Sequence, residues 1–284
     1  MVPTLINDWY ISTDQRVGAW SVNTEPPSAE QINNANIIRS FFLNEGWTIE
    51  SICGMLGCMQ GESTINPAFI QQTNRYRLPN SAADITDVHN NIMQNFYNVF
   101  YGVDRRAFGV GLVQWDGYTP GSGGTPDRQK MVAFAMDNNI VWYDGWTQLY
   151  RIKFEWNYDV TNNTTIFFYP VRYSGVVYTF SNFTTATVSP EILAAAWTSG
   201  YERNAGGVGY RAENARSWYN LFTGPDAPAV IDPLDFSLPI QADPYDPPFD
   251  PDHPVDPGNP YDMPVWLKCI LNRRKEKLLK WRRV

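Results

Sequence analysis

The stretch Thr48 to Pro67, TIESICGMLGCMQGESTINP, constrains the fold more than any other part of the chain. Its apolar residues recur at helical spacing and predict a helix with one buried face: Ile52, Met55, Leu56 and Met59. Thr48 is a suitable N-cap, and the helix must end by Asn66-Pro67. Three glycines interrupt this helix, Gly54, Gly57 and Gly61, and each costs roughly 1 kcal/mol against alanine. They therefore predict a close approach of neighbouring groups to this backbone.

Further helical patterns lie on both sides of this stretch. Asn34 is placed to cap a preceding helix that ends near Gly46. Four helices are predicted after Pro67: over 127–138, over 146–156, from Ser189-Pro190-Glu191 onward, and over 210–222. The apolar runs around Ser174-Gly175 predict a β-hairpin inserted between these helices. We therefore expect an α+β fold that is predominantly helical.

The two ends of the chain differ in composition from this helical region. Residues 1–33 mix single aromatic residues with polar ones, which predicts an extended arm. Residues 226–262 are rich in Asp and Pro and contain no Lys or Arg, so we expect an extended acidic linker. The last twenty residues carry a net charge of +7 and interleave it with Trp, Ile and Leu, which predicts a basic amphipathic helix. The predicted units are 1–33, 34–224, 225–264 and 265–284.

The composition excludes several kinds of chemistry. With two His and three Cys that show no clustered spacing, the chain offers almost no material for a zinc site or a His-based triad. Cys53 and Cys58 lie on one predicted helix with diverging side chains, so no disulfide is expected. The N-terminal residues do not resemble a signal peptide, and no apolar run of 18 residues occurs. We expect chemistry based on carboxylates, amides and hydroxyls, without a cofactor.

Glu62 is the candidate catalytic carboxylate, because it follows the buried face of the Thr48 helix. Cleaving a glycosidic bond requires protonation of a poor leaving oxygen near neutral pH. A carboxyl group can supply that proton when apolar surroundings raise its pKa. The apolar helix face would provide such surroundings, and the glycines would leave room for a sugar.

Two segments of the chain resemble the phage tail lysozyme domain of the lysozyme-like superfamily: MLGCMQGESTINP and, after it, GVGLVQW. Members of this family pair a Glu-Ser-x-x-Asn-Pro segment with a Gly-Leu-x-Gln segment. Lytic transglycosylases carry a similar pair. The likeness covers roughly residues 34–222. It implies that Glu62 is the general acid and that Ser63 helps to hold its carboxyl group. It also implies that Gln114 and Trp115 line the groove and contact an N-acetylated sugar, while Tyr201 closes the site. Core packing is the alternative interpretation for Trp115 and Tyr201.

A second carboxylate remains open at this stage. Five aspartates lie in predicted loops, and Asp116, directly after Gln114-Trp115, is the favoured one: Asp84, Asp87, Asp104, Asp116 and Asp127. The separation of the two carboxyl groups would distinguish inverting from retaining hydrolysis. The resemblance also allows a route in which Glu62 works alone as acid and then base. Cys58 and the long hairpin region 160–185 depart from the family pattern.

The resemblance implies a tail-associated lysozyme in the virion that cleaves the glycan strand of bacterial peptidoglycan during infection. Its expected partners are peptidoglycan and other tail proteins, the latter through residues 265–284. The alternatives for these residues are an anionic membrane surface, DNA in the tail channel, or no partner. We expect no nucleic acid partner and no membrane span. Two alternatives are an endolysin released through a holin and a structural tail protein with an inactive site.

Overall fold

The computed structural model describes residues 4–11, 26–69, 109–116, 131, 134–135, 138, 140–203 and 207–241. Its helices are α1 (Ala29–Asn44), α2 (Ile49–Ser63), α3 (Gly145–Asn162), α4 (Phe180–Phe183), α5 (Pro190–Gly200) and α6 (Val208–Thr223). Three antiparallel hairpins accompany them: β1 (Thr4–Ile6) with β2 (Trp9–Ile11), β3 (Gly109–Val110) with β4 (Trp115–Asp116), and β5 (Val171–Tyr173) with β6 (Val176–Tyr178). The expected mostly helical α+β fold is confirmed.

Helix α2 forms the centre of the core, and almost all of its residues are buried. Thr48 caps it by accepting a hydrogen bond from the Ser51 amide, as predicted. The glycines permit close packing of helices. A Cβ atom on Gly54 would lie 2.7 Å from the Leu193 Cβ of α5, and one on Gly57 would lie 2.4 Å from the Arg211 carbonyl oxygen of α6. The predicted close approach is confirmed, but protein atoms, not a sugar, occupy the space beside these glycines.

Helix α1 starts earlier than the sequence indicated. Ser28 is its N-cap and forms a capping box with Gln31. Asn34 lies inside the helix and uses its buried side chain for a different purpose. Its Nδ2 donates to the carbonyl oxygens of Tyr10 at 2.8 Å and Ile65 at 2.9 Å. The predicted capping role of Asn34 is therefore wrong, because its amide fastens two other segments to the helix.

The first hairpin belongs to the core of the domain. Trp9 is fully buried, and its ring lies edge-on to Trp146 with ring centroids 6.0 Å apart. Gly145 makes this possible, because a Cβ atom there would lie 2.1 Å from the Trp9 ring. The prediction of an extended arm is wrong for residues 4–11, since a buried tryptophan anchors them.

Residues 225–241, here called the C-terminal strap, also pack on the domain. The Phe236 ring is buried between Phe41 and Trp146, at centroid distances of 5.9 and 5.2 Å. The Asp144 carboxylate accepts a hydrogen bond from the Ile240 amide at 2.7 Å. The linker prediction is therefore wrong over 225–241, because one aromatic side chain and several backbone hydrogen bonds attach the segment. Residues 242–264 of that linker and the predicted basic helix at 265–284 lie outside the described residues.

The hairpin expected around Ser174-Gly175 is confirmed as β5 and β6, with both turn residues at positive φ. The predicted start at Ser189-Pro190 is confirmed for α5, and the closing helix is confirmed as α6. The helix predicted over 127–138 lies largely outside the described residues. No helix in the described ranges is long and apolar enough to cross a membrane.

Candidate functional site

Glu62 lies in the last turn of α2, just before the chain reverses. Thr64 and Ile65 both take left-handed backbone conformations, with φ values of 55° and 59°. This turn ends the helix and leaves the Glu62 side chain 15% exposed. Its Oε1 atom accepts a hydrogen bond from the Arg211 guanidinium of α6, which is only 1% exposed. Glu62 therefore combines access to solvent with a buried cationic partner.

Arg211 also approaches a second carboxylate. Glu202 follows α5, and its Oε2 atom lies 3.3 Å from Nη2 of Arg211. One guanidinium thus lies between two acids that come from different elements. The apolar surroundings that the sequence predicts for Glu62 are wrong on this side, because the structure places the Arg211 charge beside it. No local spacing in the sequence could have indicated this, because Glu62 is 149 residues away from Arg211.

Ser63 supports the site through the backbone. Its hydroxyl is buried and lies within hydrogen-bond distance of the Met59 carbonyl at 3.0 Å and the Leu112 carbonyl at 2.9 Å. The expected contact with the Glu62 carboxyl is therefore replaced by a bond to the segment that carries Gln114. Consequently, the two motifs of the sequence are fastened to each other.

Gln148 of α3 fixes the same segment from the other side. Its Oε1 accepts from the Leu112 amide at 2.8 Å, and its Nε2 donates to the Pro67 carbonyl at 2.7 Å. Gly111 allows this approach, since a Cβ atom there would lie 2.6 Å from Gln148 Oε1. Gln148 thus joins the turn after α2 to the second motif, a role that the sequence did not reveal.

Gln114 occupies the turn between β3 and β4 in a left-handed conformation, with φ at 51°. Its Nε2 donates to the Gly111 carbonyl at 2.8 Å and more weakly to the Phe69 carbonyl at 3.3 Å. Its Oε1 is buried and has no hydrogen-bond partner in the described part of the chain. A buried acceptor without a partner is energetically costly.

Trp115 and Tyr201 are core residues around Glu155. The Tyr201 hydroxyl donates to Glu155 Oε2, and its ring stacks on Trp197 at 4.1 Å between centroids. Arg151 pairs with the other carboxylate oxygen at 2.7 Å. Burial raises the pKa of Glu155, while Arg151, Tyr201 and the nearby Trp115 indole oppose that shift. The structure therefore brings Trp115 and Tyr201 together, although both rings are buried instead of exposed along a groove.

The candidate second carboxylates are less well defined. Asp116 lies in β4, where it pairs with Gly109, and its side chain lies outside the described parts. The other four candidates, Asp84, Asp87, Asp104 and Asp127, lie wholly outside the described residues. Within those residues, no three His, Cys, Asp or Glu side chains group in a way that could hold a metal ion.

Comparison with known proteins matches the region that contains this site. A model of the phage tail lysozyme family matches residues 33–222. Morphogenesis protein 1 of Bacillus phage B103 is 30% identical over 206 residues, which cover 72% of this chain and 43% of the phage protein. This chain therefore corresponds to less than half the length of that relative. With two thirds of its length matched by the family model, the chain belongs to the phage tail lysozyme family.

Proposed function

We propose that this protein is a tail-associated phage lysozyme that cleaves the glycan strand of host peptidoglycan during infection, with Glu62 as the general acid. The position of Glu62 is the main support for this proposal. Its carboxyl group is partly exposed at the end of a buried helix, and buried Arg211 fixes it in place. The residue also lies inside the region matched by the family model.

In the proposed reaction, protonated Glu62 gives its proton to the glycosidic oxygen while the bond to the sugar's anomeric carbon breaks. The negative charge that develops on Glu62 lies beside the Arg211 guanidinium. This contact stabilises the transition state, because the cation is already in position when the charge forms. Glu62 then takes a proton from the group that attacks the anomeric carbon. That group is either water or a hydroxyl of the sugar itself.

Gln114 is the proposed contact for an N-acetylated sugar. Its Oε1 is enclosed and lacks a protein partner within the described ranges, and the side chain as a whole is only partly buried, so a rotation of the amide on substrate binding would let this oxygen accept from an acetamido N–H group. The buried side chains of Ser63, Trp115 and Tyr201 would hold the surrounding protein in place without contacting the sugar. Asp116 remains the proposed second carboxylate if the reaction uses an activated water.

Substitution of Glu62 by Gln tests the proposal. The amide keeps the shape of the side chain but cannot donate the required proton, so digestion of purified peptidoglycan should fall below a few per cent of the wild-type rate. Glu50→Gln is a matched control, since Glu50 lies in the first turn of the same helix. This control should retain activity. Gln114→Ala should cause a smaller loss, because it removes orientation and leaves the acid.

The products of digestion distinguish the two routes. Reducing ends would indicate attack by water, whereas 1,6-anhydro sugars would indicate attack by the sugar's own hydroxyl and would remove Asp116 from consideration. Mass spectrometry of the digest measures both. A folded wild-type protein without any activity would instead favour the inactive structural tail protein.

The proposed location in the virion is tested separately. Detection of the chain in purified particles would support a tail component, and its absence there would favour an endolysin. If residues 265–284 dock on another tail protein, a chain that ends after Gln241 should digest peptidoglycan but fail to enter particles. Normal incorporation of that shortened chain would contradict the docking proposal.

A further inference from the structure

We infer that Glu202 is a positioning residue for Glu62: the two carboxylates share the Arg211 guanidinium, so the charge of Glu202 weakens the hold of Arg211 on Glu62 and favours the protonated form that cleavage needs. This inference rests on the general-acid role proposed for Glu62. Glu202 itself would neither gain nor lose a proton in the reaction.

The geometry that supports this role involves three elements. Glu62 comes from the end of α2, Arg211 from α6 and Glu202 from the turn after α5. The side chains of Arg211 and Glu202 are 1% and 7% exposed, so water screens their interaction poorly. Arg211 binds Glu62 directly and lies 3.3 Å from Glu202. A change of charge at Glu202 should therefore change the pKa of Glu62.

Two other titratable side chains of the described residues lie near this cluster, Tyr210 and Cys58, and both are neutral at physiological pH. Burial and the charge of Glu202 raise the pKa of Tyr210, whose ring covers Gly61, to about 12. Burial, with Glu202 as a further cause, also raises the pKa of the Cys58 thiol on α2. Among the described residues, the charges here are thus two carboxylates and one guanidinium. Because two carboxylates share one guanidinium, Arg211 holds each of them less strongly in its ionised form than it would hold either one alone.

The same arrangement suits both halves of the reaction. When Glu62 gives its proton to the glycosidic oxygen, the electron pair of the broken bond stays with the leaving sugar. The new Glu62 carboxylate pairs with Arg211. The negative charge of Glu202 weakens the interaction of Arg211 with ionised Glu62, so Glu62 can recover a proton from the attacking hydroxyl or water. Without Glu202, Arg211 would hold Glu62 in its ionised form.

The test is the pH dependence of kcat/KM for Glu202→Gln. Activity depends on protonated Glu62 and should decline with rising pH, and in the variant this decline should occur about one pH unit lower. Glu191→Gln is the matched control. Glu191 forms an ion pair with Arg216 that also connects α5 and α6, but it is far more exposed. Its pH profile should equal that of the wild type. A Glu202→Gln profile that matches this control would overturn the inference.

NMR titration of ¹³C-labelled glutamate carboxyl groups provides a readout that does not require activity. Glu62 should titrate at lower pH in Glu202→Gln than in the wild type. Should that variant fail to fold, the wild type alone suffices, because Glu62 and Glu202 should titrate in a coupled, two-step manner. Independent single-step curves would overturn the inference. If Glu62 titrates at lower pH in Glu202→Gln but the wild-type protein leaves peptidoglycan intact, only the proposed function is contradicted.

Discussion

The Ser63 hydroxyl lies 2.9 Å from the Leu112 carbonyl oxygen and joins the end of α2 to the turn that carries Gln114. Gln148 holds the same turn from α3 through the Leu112 amide. Glu62 and Gln114 are 52 positions apart in the printed sequence, yet Ser63, next to Glu62, is hydrogen-bonded to Leu112, two residues before Gln114. The relative position of acid and amide should therefore depend on these buried contacts.

Substitution of Ser63 by Ala should reduce activity beyond its effect on stability. It leaves the Leu112 carbonyl without this donor, at a cost of about 1–3 kcal/mol of unfolding free energy. Because the Gln114 turn loses an attachment, kcat/KM should fall by roughly tenfold or more. Chemical denaturation and digestion of soluble peptidoglycan fragments measure the two effects.

Ser51→Ala is the control for this change. Ser51 is buried at the other end of α2, and its hydroxyl lies within hydrogen-bond distance of the carbonyls of Thr48 and Thr184. It should lose comparable stability and keep its activity. Equal activity of the two variants would show that the Ser63 contact does not position the site.

Gly57→Ala should disturb the packing of α2 against α6. The added methyl group would lie 2.4 Å from the Arg211 carbonyl oxygen, and the backbone cannot move away cheaply. We expect a loss of about 1–3 kcal/mol of unfolding free energy. Activity should fall as well, because the residue displaced is Arg211.

Gly209→Ala provides the opposite expectation on α6. Among the described residues, no atom lies within 4 Å of a Cβ atom placed there, and the residue has an ordinary helical conformation. Alanine should stabilise the protein by about 0.5–1 kcal/mol, because it favours the helix more than glycine does. Thermal unfolding of both variants checks the pair of predictions. Similar destabilisation of both would contradict the close packing at Gly57.

The sequence predicted those features of the site that depend on local patterns. Helix α2 was predictable from its periodicity and from the Thr48 cap, and the resemblance drew attention to Glu62 and Gln114. Arg211 and Glu202 were missed, because contacts between distant segments leave no regular spacing in a single sequence. The same holds for Gln148 and Glu155, which are polar residues on a predicted helix and reveal their burial only in the fold.

Composition gave a misleading impression of the two ends of the domain. From its composition, a segment such as 225–241 has too few apolar residues to fold alone. It can nevertheless pack on an existing surface when one side chain such as Phe236 enters the core. Trp9 acts in the same way for the first hairpin. A single large aromatic residue in a polar segment is a weak sequence signal, although it decides where these segments lie.

Asp144 should make the stability of the domain depend on pH. Its carboxylate is buried and accepts hydrogen bonds from Asn7, Trp146 and the Ile240 amide of the C-terminal strap. Burial raises the pKa of Asp144 to about 6, against the opposing effect of these donors. Between about pH 4 and 6 the folded state therefore binds a proton that the unfolded state does not. The contribution of this group to stability should decrease by roughly 3 kcal/mol as pH rises through that window and stay level above it.

Comparison with Asp144→Asn measures this contribution. The variant should be less stable than the wild type, because an amide cannot accept from all three donors. Its deficit should be largest near pH 4 and should shrink toward pH 6, since only the wild type has the titrating group. Urea denaturation at several pH values gives the difference directly. A deficit that stays constant or grows with pH would contradict the raised pKa of Asp144.

The domain should tolerate shortening at its C-terminal end only as far as Gln241. A boundary at residue 224 follows from composition, whereas the packing of the C-terminal strap places it after Gln241. Removal of all residues after Phe222 would take away Phe236 and uncover the Phe41 and Trp146 rings that contact it. We expect a loss of at least 3–5 kcal/mol of unfolding free energy, the usual cost of deleting a buried phenylalanine side chain. A chain that ends after Gln241 should unfold at the wild-type temperature.

Phe236→Ala in the full chain should reproduce most of the loss, while Leu238→Ala, at an exposed position of the same strap, should have little effect. Equal thermal stability of the chains that end after Phe222 and Gln241 would show that the strap does not contribute to the core.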